Sequence, residues 1–468
     1  MSTDVIVVGA GLSGLVTAYR LHRAGLGVEV IEAAPQPGGV IGSVRRHGLL
    51  FERGPNSGLD TSPAINALLD DLGIRDQRVD ASKASSRRYV VRDGRMVALP
   101  TSPGAFVGTP LFSGRAKLRL LREPFIAAAP AGTEESIAQF VQRRLGREFL
   151  DYAIEPFVSG IYAGDPAVLS VPAAFPRLHA LERDYGSLIR GAILGARDRR
   201  RRGVPAKNAA VSFSFRMGLQ TLTDALARAL PSVTSGEAVT GVARAPDGAF
   251  TVTVASGQPS RRARAVVLAT PAYAAAGLIE SLAPEAAQAL AAIPYAPVAV
   301  VVSAYRRRAV SHPLDGFGVL APAVERPLIL GSLFSGTMFE GRVPPESVLF
   351  TTFLGGRRNP ALAAAPDAEL QEAVQTELGR LAGVGEAPWF SEITRWPRAI
   401  PQYTLGHLQR MAAVERAEQH VRGLHFCCNY RGGVSIGDCI VSGEAMAHAV
   451  AAGLRSAGSG APAVAAGG

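Results

Sequence analysis

A glycine-rich motif near the start of the chain constrains the fold more than any other feature. The apolar run at residues 5–8 is followed by Gly9–Gly14 (GAGLSG), a helical pattern to about Ala24, and a second apolar run at residues 28–31. The first glycine permits a tight turn, the second lets a pyrophosphate approach the backbone, and the third lets helix and strand pack closely. The N-terminus of the helix offers free N–H groups to phosphates. The sequence therefore predicts a dinucleotide-binding βαβ unit.

Glu32 follows the second predicted strand, 18 residues after Gly14. A carboxylate there accepts hydrogen bonds from both ribose hydroxyls and disfavours a 2′-phosphate. No second GxGxxG follows a strand, and no group of proton-handling residues accompanies the motif. We interpret the pattern as a flavin site, with electrons leaving for oxygen or a quinone rather than arriving from a nicotinamide.

Composition, charge and cysteine count limit the classes of protein to which the chain can belong. The 468 residues are 47% apolar and 19% charged, which is typical of a globular protein of two or three domains. The net charge of +10 suits an anionic ligand or membrane surface, and we expect no nucleic-acid partner because no binding module is recognisable. Cys427, Cys428 and Cys439 are too few for a disulfide framework or a structural zinc site. No signal peptide precedes Val5, so we expect a cytoplasmic protein.

One uncharged stretch, residues 286–305, is long enough to be tested as a membrane span. Pro294 and Pro297 interrupt it. We therefore predict a helix ending near Ile293 and a buried strand over residues 297–305.

Further along the chain, helical and strand patterns alternate in blocks. Helices are predicted at 63–72, 114–202, 367–381 and 437–454, and strands at 213–270, 297–354, near 393 and at 423–428. The charge run at 197–202 is interpreted as a solvated linker or a membrane-facing edge. The segment from 456 to 468 is rich in Gly and Ala and is expected to fray. The order of blocks indicates a dinucleotide-binding domain interrupted by two insertions.

Several specific motifs follow one another over nearly the whole chain: 52–57 (ERGPNS), 87–90 (RRYV), 160–165 (GIYAGD), 396–403 (WPRAIPQY), 406–408 (GHL) and 429–439. In this order they resemble the oxygen-dependent protoporphyrinogen oxidase family, whose bacterial relatives include coproporphyrinogen III oxidases. The wider superfamily of amine-oxidase-like flavoproteins shares only the first and last motifs.

The resemblance implies an α/β plus α+β fold, in which a Rossmann-like FAD domain is interrupted by a β-sheet substrate domain and a mainly helical domain. We assign residues 1–78, 206–272 and 393–456 to the FAD domain, 79–97 and 273–392 to the substrate domain, 98–205 to the helical domain and 457–468 to a flexible tail. The helical domain corresponds to the family's membrane-associated part, so peripheral contact with the inner face of the cell membrane stays open, as does a homodimer.

The resemblance also implies which residues hold FAD: Gly9, Ala10, Gly11, Leu12, Ser13, Gly14, Glu32, Gln36, Gly39, Gly54, Pro55, Asn56, Ser57, Val239, Trp396, Gly433, Val434, Ser435 and Ile436. Two positions depart from the family pattern, since Gln36 replaces a common arginine and Cys428 replaces a glycine before Asn429. A helix starting near Gly437 can direct its N-terminus at the flavin pyrimidine ring.

For the substrate, the resemblance places Arg88 as a propionate anchor and Leu314, Leu330 and Phe350 as side chains that sandwich the pyrrole rings. Without it, a surface arginine and three core residues would be the ordinary interpretation. We expect a six-electron oxidation of protoporphyrinogen IX, as three dehydrogenations with hydride transfer to the flavin. No side-chain acid or base is assigned, and O2 reoxidises the flavin to give H2O2.

Four alternatives stay open or are disfavoured. Coproporphyrinogen III has four carboxylates, which Arg87, Arg306, Arg307 and Arg308 would suit. An amine oxidase or carotenoid desaturase should lack GIYAGD, and a non-enzymatic binder that lost its flavin should lack the intact glycines and Glu32. A hydrolase is disfavoured because the GxSxG at 433–437 lies too far after its strand. His407 is interpreted as structural.

Overall fold

A computed structural model describes residues 3–130, 132–201 and 210–459. Twenty strands lie within these ranges. In chain order, β1 to β20 are Val5–Val8, Val28–Ile31, Ser43–Arg46, Leu49–Glu52, Gly58–Leu59, Arg78–Asp80, Arg87–Arg92, Arg95–Ala98, Ser212–Phe215, Val233–Thr234, Val239–Arg244, Phe250–Val254, Arg261–Ala263, Ala265–Leu268, Tyr295–Arg306, Gly316–Leu320, Ile329–Leu333, Ser347–Gly355, Phe390–Pro401 and Leu424–Phe426.

Seventeen α-helices lie in the same described ranges, with a π-helical turn between the sixth and seventh. In chain order, α1 to α17 are Leu12–Arg23, Pro63–Asp71, Pro103–Gly108, Gly114–Leu120, Ile137–Arg144, Arg147–Phe149, Glu155–Tyr162, Val171–Ala174, Pro176–Tyr185, Leu188–Arg201, Gln220–Arg228, Ala272–Ile279, Pro284–Ala291, Ser335–Met338, Asp367–Ala382, His407–His420 and Ile436–Ser459.

The first sheet is parallel and has the strand order β10-β2-β1-β14-β20. All four residues of β1 are buried, as expected for a strand covered on both faces. Helices α1 and α17 cross on this sheet, and Gly443 allows the close approach because a Cβ atom added there would lie 2.9 Å from Ser13 O. The predicted βαβ unit is confirmed, with β1 and β2 at the predicted residues.

The second sheet has seven strands in the order β19-β15-β18-β17-β16-β7-β8, antiparallel except where β16 pairs with β7. Alternate residues of β18 face opposite sides. Phe350 belongs to the cluster that also contains residues of α15, whereas Leu349 packs with Phe51 of β4 and Ala163. The sheet therefore lies between α15 and the hairpin of the first domain.

Helices α3 to α10 form the block between β8 and β9. A buried ion-pair cluster joins them: Arg144 is fully buried and its guanidinium lies 3.2 Å from Glu123 Oε1 and 2.5 Å from Glu182 Oε2. Glu123 also accepts hydrogen bonds from Leu188 N and Ile189 N at the start of α10. A buried carboxylate at a helix N-terminus accepts hydrogen bonds from the free N–H groups and interacts favourably with the helix dipole.

One linker assignment and three domain boundaries from the sequence need correction. The charge run at 197–202 is not a linker through residue 201, because α10 continues to Arg201; the remainder and the boundary at 205–206 lie outside the described residues. The boundary at 393 falls inside β19, which pairs with β15 of the seven-stranded sheet. Residues 79–80 belong to β6, which pairs with β9 rather than with that sheet. Helix α17 extends to Ser459, past the predicted start of the tail, and residues 460–468 lie outside the description.

The uncharged stretch at 286–305 divides as predicted. Helix α13 ends at Ala291 and β15 begins at Tyr295, so the transmembrane alternative is wrong. Among the described residues, we find no helix with the length and apolar character needed to cross a bilayer.

Candidate active site

The three glycines of the first motif play different geometric roles. Gly9 has φ +103°, and a Cβ atom there would lie 2.9 Å from Ala269 O; a Cβ atom on Gly14 would overlap the Gly9 carbonyl oxygen. A Cβ atom on Gly11 would meet nothing within 4 Å. Gly11 is also the N-cap of α1 and supplies no side chain to cap it. The loop therefore leaves its middle glycine and the helix N-terminus open to an anionic group.

Glu32 supports this loop from the end of β2. Its Oε2 accepts a hydrogen bond from Ala10 N (2.6 Å) and its Oε1 one from Ala34 N (2.8 Å). The Glu32 carbonyl accepts from Glu237 N at 2.9 Å, which brings the segment leading to Val239 alongside. The structure thus places Glu32 next to the glycine loop, and the segment that leads to Val239 next to Glu32.

The second glycine pair packs on the same loop. Gly38 N donates to Ala10 O at 2.8 Å, and a Cβ atom on Gly39 would lie 3.2 Å from Gly11 Cα. Gln36 precedes this turn and is exposed. The structure therefore brings Gly39 to the predicted site and leaves Gln36 at its solvent edge.

The loop at 53–57 is attached to the seven-stranded sheet. Trp396 Nε1 donates to Arg53 O at 2.8 Å. Asn56 is buried, and its Nδ2 lies 3.4 Å from both Ser335 Oγ and Thr351 Oγ1. Its Oδ1 has no hydrogen-bond partner among the described residues. The loop that carries Gly54, Pro55 and Ser57 therefore contacts the sheet through Asn56, whose buried Oδ1 accepts no hydrogen bond from the described residues.

The last predicted segment is a turn that leads into α17. Gly433 has φ +124° and its N–H donates to Tyr403 Oη at 3.1 Å. Ser435 Oγ accepts a hydrogen bond from Asp438 N at 3.1 Å and donates one to Asp438 Oδ2 at 2.6 Å, so this hydroxyl caps the helix and is not paired with a histidine as a nucleophile would be. Val434 packs with the cluster around Tyr162, and Ile436 is buried at the first turn of the helix.

These segments fit a dinucleotide. The N-terminus of α1, an open glycine loop and the carboxylate of Glu32 lie at the carboxyl ends of β1 and β2, where ligands bind in parallel α/β sheets. Two buried polar atoms near the crevice, Asn56 Oδ1 and Thr270 Oγ1, have no partner among the described residues and could bind a ligand. The residues present therefore suit a flavin dinucleotide.

The buried titratable groups nearby are held in their neutral forms. His407 is buried and stacks on Tyr403 with ring centroids 4.2 Å apart, and its Nε2 lies 3.0 Å from Tyr430 O. Burial lowers the pKa of His407 to about 4, and burial raises the pKa of the Cys439 thiol to about 12. At neutral pH neither group carries a charge.

Arg88 lies on β7, between β16 and β8 of the seven-stranded sheet, and is exposed. Its guanidinium carbon lies 5.2 Å from the centre of the Phe317 ring, within the range of a cation–π contact. It is therefore free to reach an anionic group at the rim, as the sequence predicts for a carboxylate anchor.

The three predicted apolar residues are not brought to one surface. Phe350 is fully buried against Tyr305 and Phe334 on the α15 side of the sheet. Leu314 belongs to the same cluster and lines a cavity of only about 200 Å³. Leu330 belongs to the cluster on the opposite side. Because residues on opposite faces cannot enclose one planar ligand, the predicted sandwich of these three side chains is not formed here.

Three neighbouring apolar residues have the expected placement instead. Leu320, Leu333 and Phe353 are each partly exposed. Leu320 and Phe353 both pair with Gly331, and Leu333 pairs with Gly318. Directly paired residues share a face, so all three lie on the side away from Phe350, with glycines between them. The period-two pattern alone does not identify them, because the pairing of β17 has a register shift between Ile329 and Gly331.

The GIYAGD motif closes one end of this face. A Cβ atom on Gly160 would lie 2.9 Å from Leu320 Cδ2, so α7 packs directly on β16. Ala163 ends the helix in the left-handed conformation, with φ +46°, and its carbonyl accepts from Arg357 N at 2.7 Å. We name the surface formed by Leu320, Leu333 and Phe353 the apolar face.

Comparison with known proteins agrees with this geometry. The family model "Flavin containing amine oxidoreductase" matches residues 12–451. Protoporphyrinogen oxidase 2, chloroplastic/mitochondrial, of Arabidopsis thaliana is 35% identical over 97% of this chain and 94% of its own length. Coproporphyrinogen III oxidase of Bacillus subtilis (strain 168) is 27% identical over 94% of this chain and 96% of its own length.

Solved structures share the fold. A structure from Exiguobacterium sp. 255-15 has a TM-score of 0.81 with 23% identity, covering 97% of this chain and 99% of that one. Cyclohexylamine oxidase from Brevibacterium oxydans IH-35A has a TM-score of 0.70 with 17% identity, covering 97% and 100%. The fold and site define a flavin-dependent oxidoreductase. The chain belongs to the flavin-containing amine oxidoreductases and, within them, to the protoporphyrinogen oxidase family.

Proposed function

We propose that the chain binds FAD and oxidises protoporphyrinogen IX to protoporphyrin IX, with O2 as acceptor and H2O2 as product. The observation that carries this proposal is the apolar face, which lies beside the loop at 53–57 and has Arg88 at its edge. The names of the relatives, which include protoporphyrinogen and coproporphyrinogen oxidases, support the same substrate class.

The side chains on the face bind and orient the substrate. Leu320, Leu333 and Phe353 offer a flat apolar surface, and burial of a macrocycle on it gains roughly 25 cal/mol per Å² of apolar area removed from water. Arg88 pairs with a propionate through charge-assisted hydrogen bonds. FAD supplies the acceptor for hydride when bound. The surrounding protein contributes orientation and exclusion of water.

Engagement of the other arginines favours two carboxylates over four. Arg87 forms an ion pair with Asp315, and Arg307 donates to the carbonyls of Val310 and His312. Of the four arginines that would suit coproporphyrinogen III, two thus have partners within the protein. This supports protoporphyrinogen IX as the preferred substrate.

Purified, FAD-loaded protein should be assayed aerobically with both porphyrinogens under matched conditions, following porphyrin fluorescence and H2O2. We expect faster porphyrin formation from protoporphyrinogen IX, with three H2O2 per porphyrin. Faster oxidation of coproporphyrinogen III would reverse the choice of substrate, and inactivity towards both would refute the proposal.

A second part of the proposal concerns peripheral membrane contact on the cytoplasmic side. Val107 (73% exposed), Leu118, Leu121 and Phe125 (83%) are large apolar side chains on the helical block. Lys117, Arg119 and Arg122 lie among them in sequence. Exposed apolar groups beside cations favour insertion at an anionic bilayer surface.

Flotation with vesicles containing anionic lipid tests this contact. We expect binding at low salt that weakens as salt is raised, because exposed charges are screened. The double variant Leu121→Ser with Phe125→Ser should lose binding, whereas Val324→Ser, which alters an exposed apolar residue outside the helical block, should retain it. Equal binding by both variants would refute the assignment of this surface.

A further inference from the structure

A buried ion pair lies directly before the loop at 53–57. Glu52 is fully buried and Arg342 is 2% exposed, and Arg342 Nη1 lies 2.8 Å from Glu52 Oε1. The same carboxylate accepts from Leu219 N at 3.1 Å and from Ser43 Oγ at 2.5 Å. Arg342 Nη2 donates to Ser214 Oγ at 2.5 Å. Burial of both charges is costly and is offset only by such complete pairing.

The pair is one of several attachments between residues 52–57 and the substrate domain, among them an ion pair of Arg53 with Glu392 of β19 at 3.7 Å. Arg342 lies between α14 and β18 and holds Glu52. Trp396 of β19 holds the carbonyl of the next residue. At the other end, Asn56 contacts Ser335 of α14 and Thr351 of β18. Every partner belongs to the chain segment that builds the seven-stranded sheet.

Thr351 connects these attachments to the apolar face. It pairs with Leu333 in the β17–β18 ladder, so its side chain lies on the same face as Leu333. Asn56 thus touches the sheet immediately beside a residue of the apolar face. The position of the loop relative to that face depends on both ends of the loop being held.

We propose that Glu52 and Arg342 are positioning residues, which set the separation between the cofactor loop and the apolar face. This inference rests on the proposed function, since it assigns the loop to FAD and the face to the porphyrinogen. The planar guanidinium donates from two separate nitrogens to acceptors on different strands, Glu52 of β4 and Ser214 of β9, whereas lysine carries all its donors on one nitrogen.

The test compares Arg342→Lys with Arg144→Lys. Both remove a buried guanidinium fork and keep the charge, but Arg144 pairs with Glu123 and Glu182 in the helical block and touches neither the loop nor the sheet. We expect both to lower the melting temperature. At saturating porphyrinogen without oxygen, flavin reduction should slow about tenfold in Arg342→Lys, because misplacement of reacting groups by about 1 Å is costly. In Arg144→Lys it should change less than about twofold, since that site holds no reacting group.

Equal rates of flavin reduction in the two variants would overturn the inference. If Arg342→Lys does not accumulate as folded protein, Glu52→Gln replaces it, because the amide keeps the shape and still accepts from Leu219 N. Glu52→Gln should also slow flavin reduction, and a rate equal to that of Arg144→Lys would again overturn the inference.

A second readout separates this inference from the proposed function. If wild-type flavin is not reduced by either porphyrinogen, the proposed function fails. The role of the Glu52–Arg342 pair is then judged by the rate of FAD release after dilution, followed by flavin fluorescence. We expect faster release from Arg342→Lys than from Arg144→Lys, and equal release would refute the role of the pair.

Discussion

The two faces of the seven-stranded sheet are covered to different extents. On the α15 side, Phe350 is fully buried and contacts Tyr305 and Phe334 edge-on. On the other side, Leu320, Leu333 and Phe353 keep part of their surface exposed. Apolar residues that a fold leaves uncovered beside buried ones mark a binding surface, whereas a sealed face contributes to stability. Under the proposed function, the sealed face contributes to stability and the other face binds the substrate.

The largest expected effect is on stability, from Phe350→Ala on the sealed face. Removing a fully buried phenyl ring leaves a cavity and costs about 3–5 kcal/mol. We expect a large fall in the free energy of unfolding, measured by urea denaturation, with kcat/KM of the folded fraction little changed. Phe350→Leu, which fills most of the space, is the control and should lose less. A loss of kcat/KM with unchanged stability would assign Phe350 to the site.

Phe353→Ala on the apolar face should change substrate binding more than stability. Phe353 is partly exposed, so we expect a smaller loss of stability than in Phe350→Ala and a KM for protoporphyrinogen raised about tenfold, which corresponds to about 1.4 kcal/mol of lost contact. The measurement is steady-state kinetics beside a melting curve. An unchanged KM would remove Phe353 from the substrate surface.

This contrast also shows how far sequence reasoning reaches. The strands at 5–8 and 28–31 and the glycine loop were predictable because their pattern is local: period, turn chemistry and helix start lie within 30 residues. The choice among Leu314, Leu320, Leu330, Leu333, Phe350 and Phe353 depends on which face of a strand each occupies. A shift of one residue moves a side chain to the opposite face, and the register is set by tertiary pairing.

Other contacts had no local signal at all. Glu52 and Arg342 are separated by 290 residues, and Asn56 and Thr351 by 295. Nothing in the residues around either partner indicates that they meet. The charge run after residue 196 does carry a local signal, but the interpretation of this signal is wrong. Its arginines are interpreted as a linker from the sequence, whereas α10 continues through them to Arg201 because arginine has a good intrinsic helix propensity.

Arg88 at the rim should have a smaller effect than the apolar face. The side chain is exposed, so an ion pair with a propionate is partly screened and contributes about 1 kcal/mol or less. We expect Arg88→Ala to raise KM several-fold and to leave kcat and the melting temperature unchanged. Arg95→Ala, which removes an exposed arginine of β8, is the control. Equal effects of both variants would exclude Arg88 as the anchor.

The smallest expected effect is the dependence of the sealed face on pH. His312 packs between Tyr89 and Phe334, and its Nδ1 accepts a hydrogen bond from Leu314 N at 3.0 Å. Burial lowers the pKa of His312 below its usual 6.5, so the folded state holds the neutral ring. The unfolded chain binds the proton more readily, so the stabilisation is complete above about pH 6.5 and declines as pH falls through the folded pKa.

His407 and His425 change in the same direction, since burial lowers the pKa of each to about 4, so wild-type melting curves alone do not isolate His312. We expect His312→Asn, which keeps an acceptor for Leu314 N but does not titrate, to lose less stability than wild type between pH 7 and pH 5. Parallel curves of melting temperature against pH for the two proteins would show that the ring of His312 titrates alike in both states.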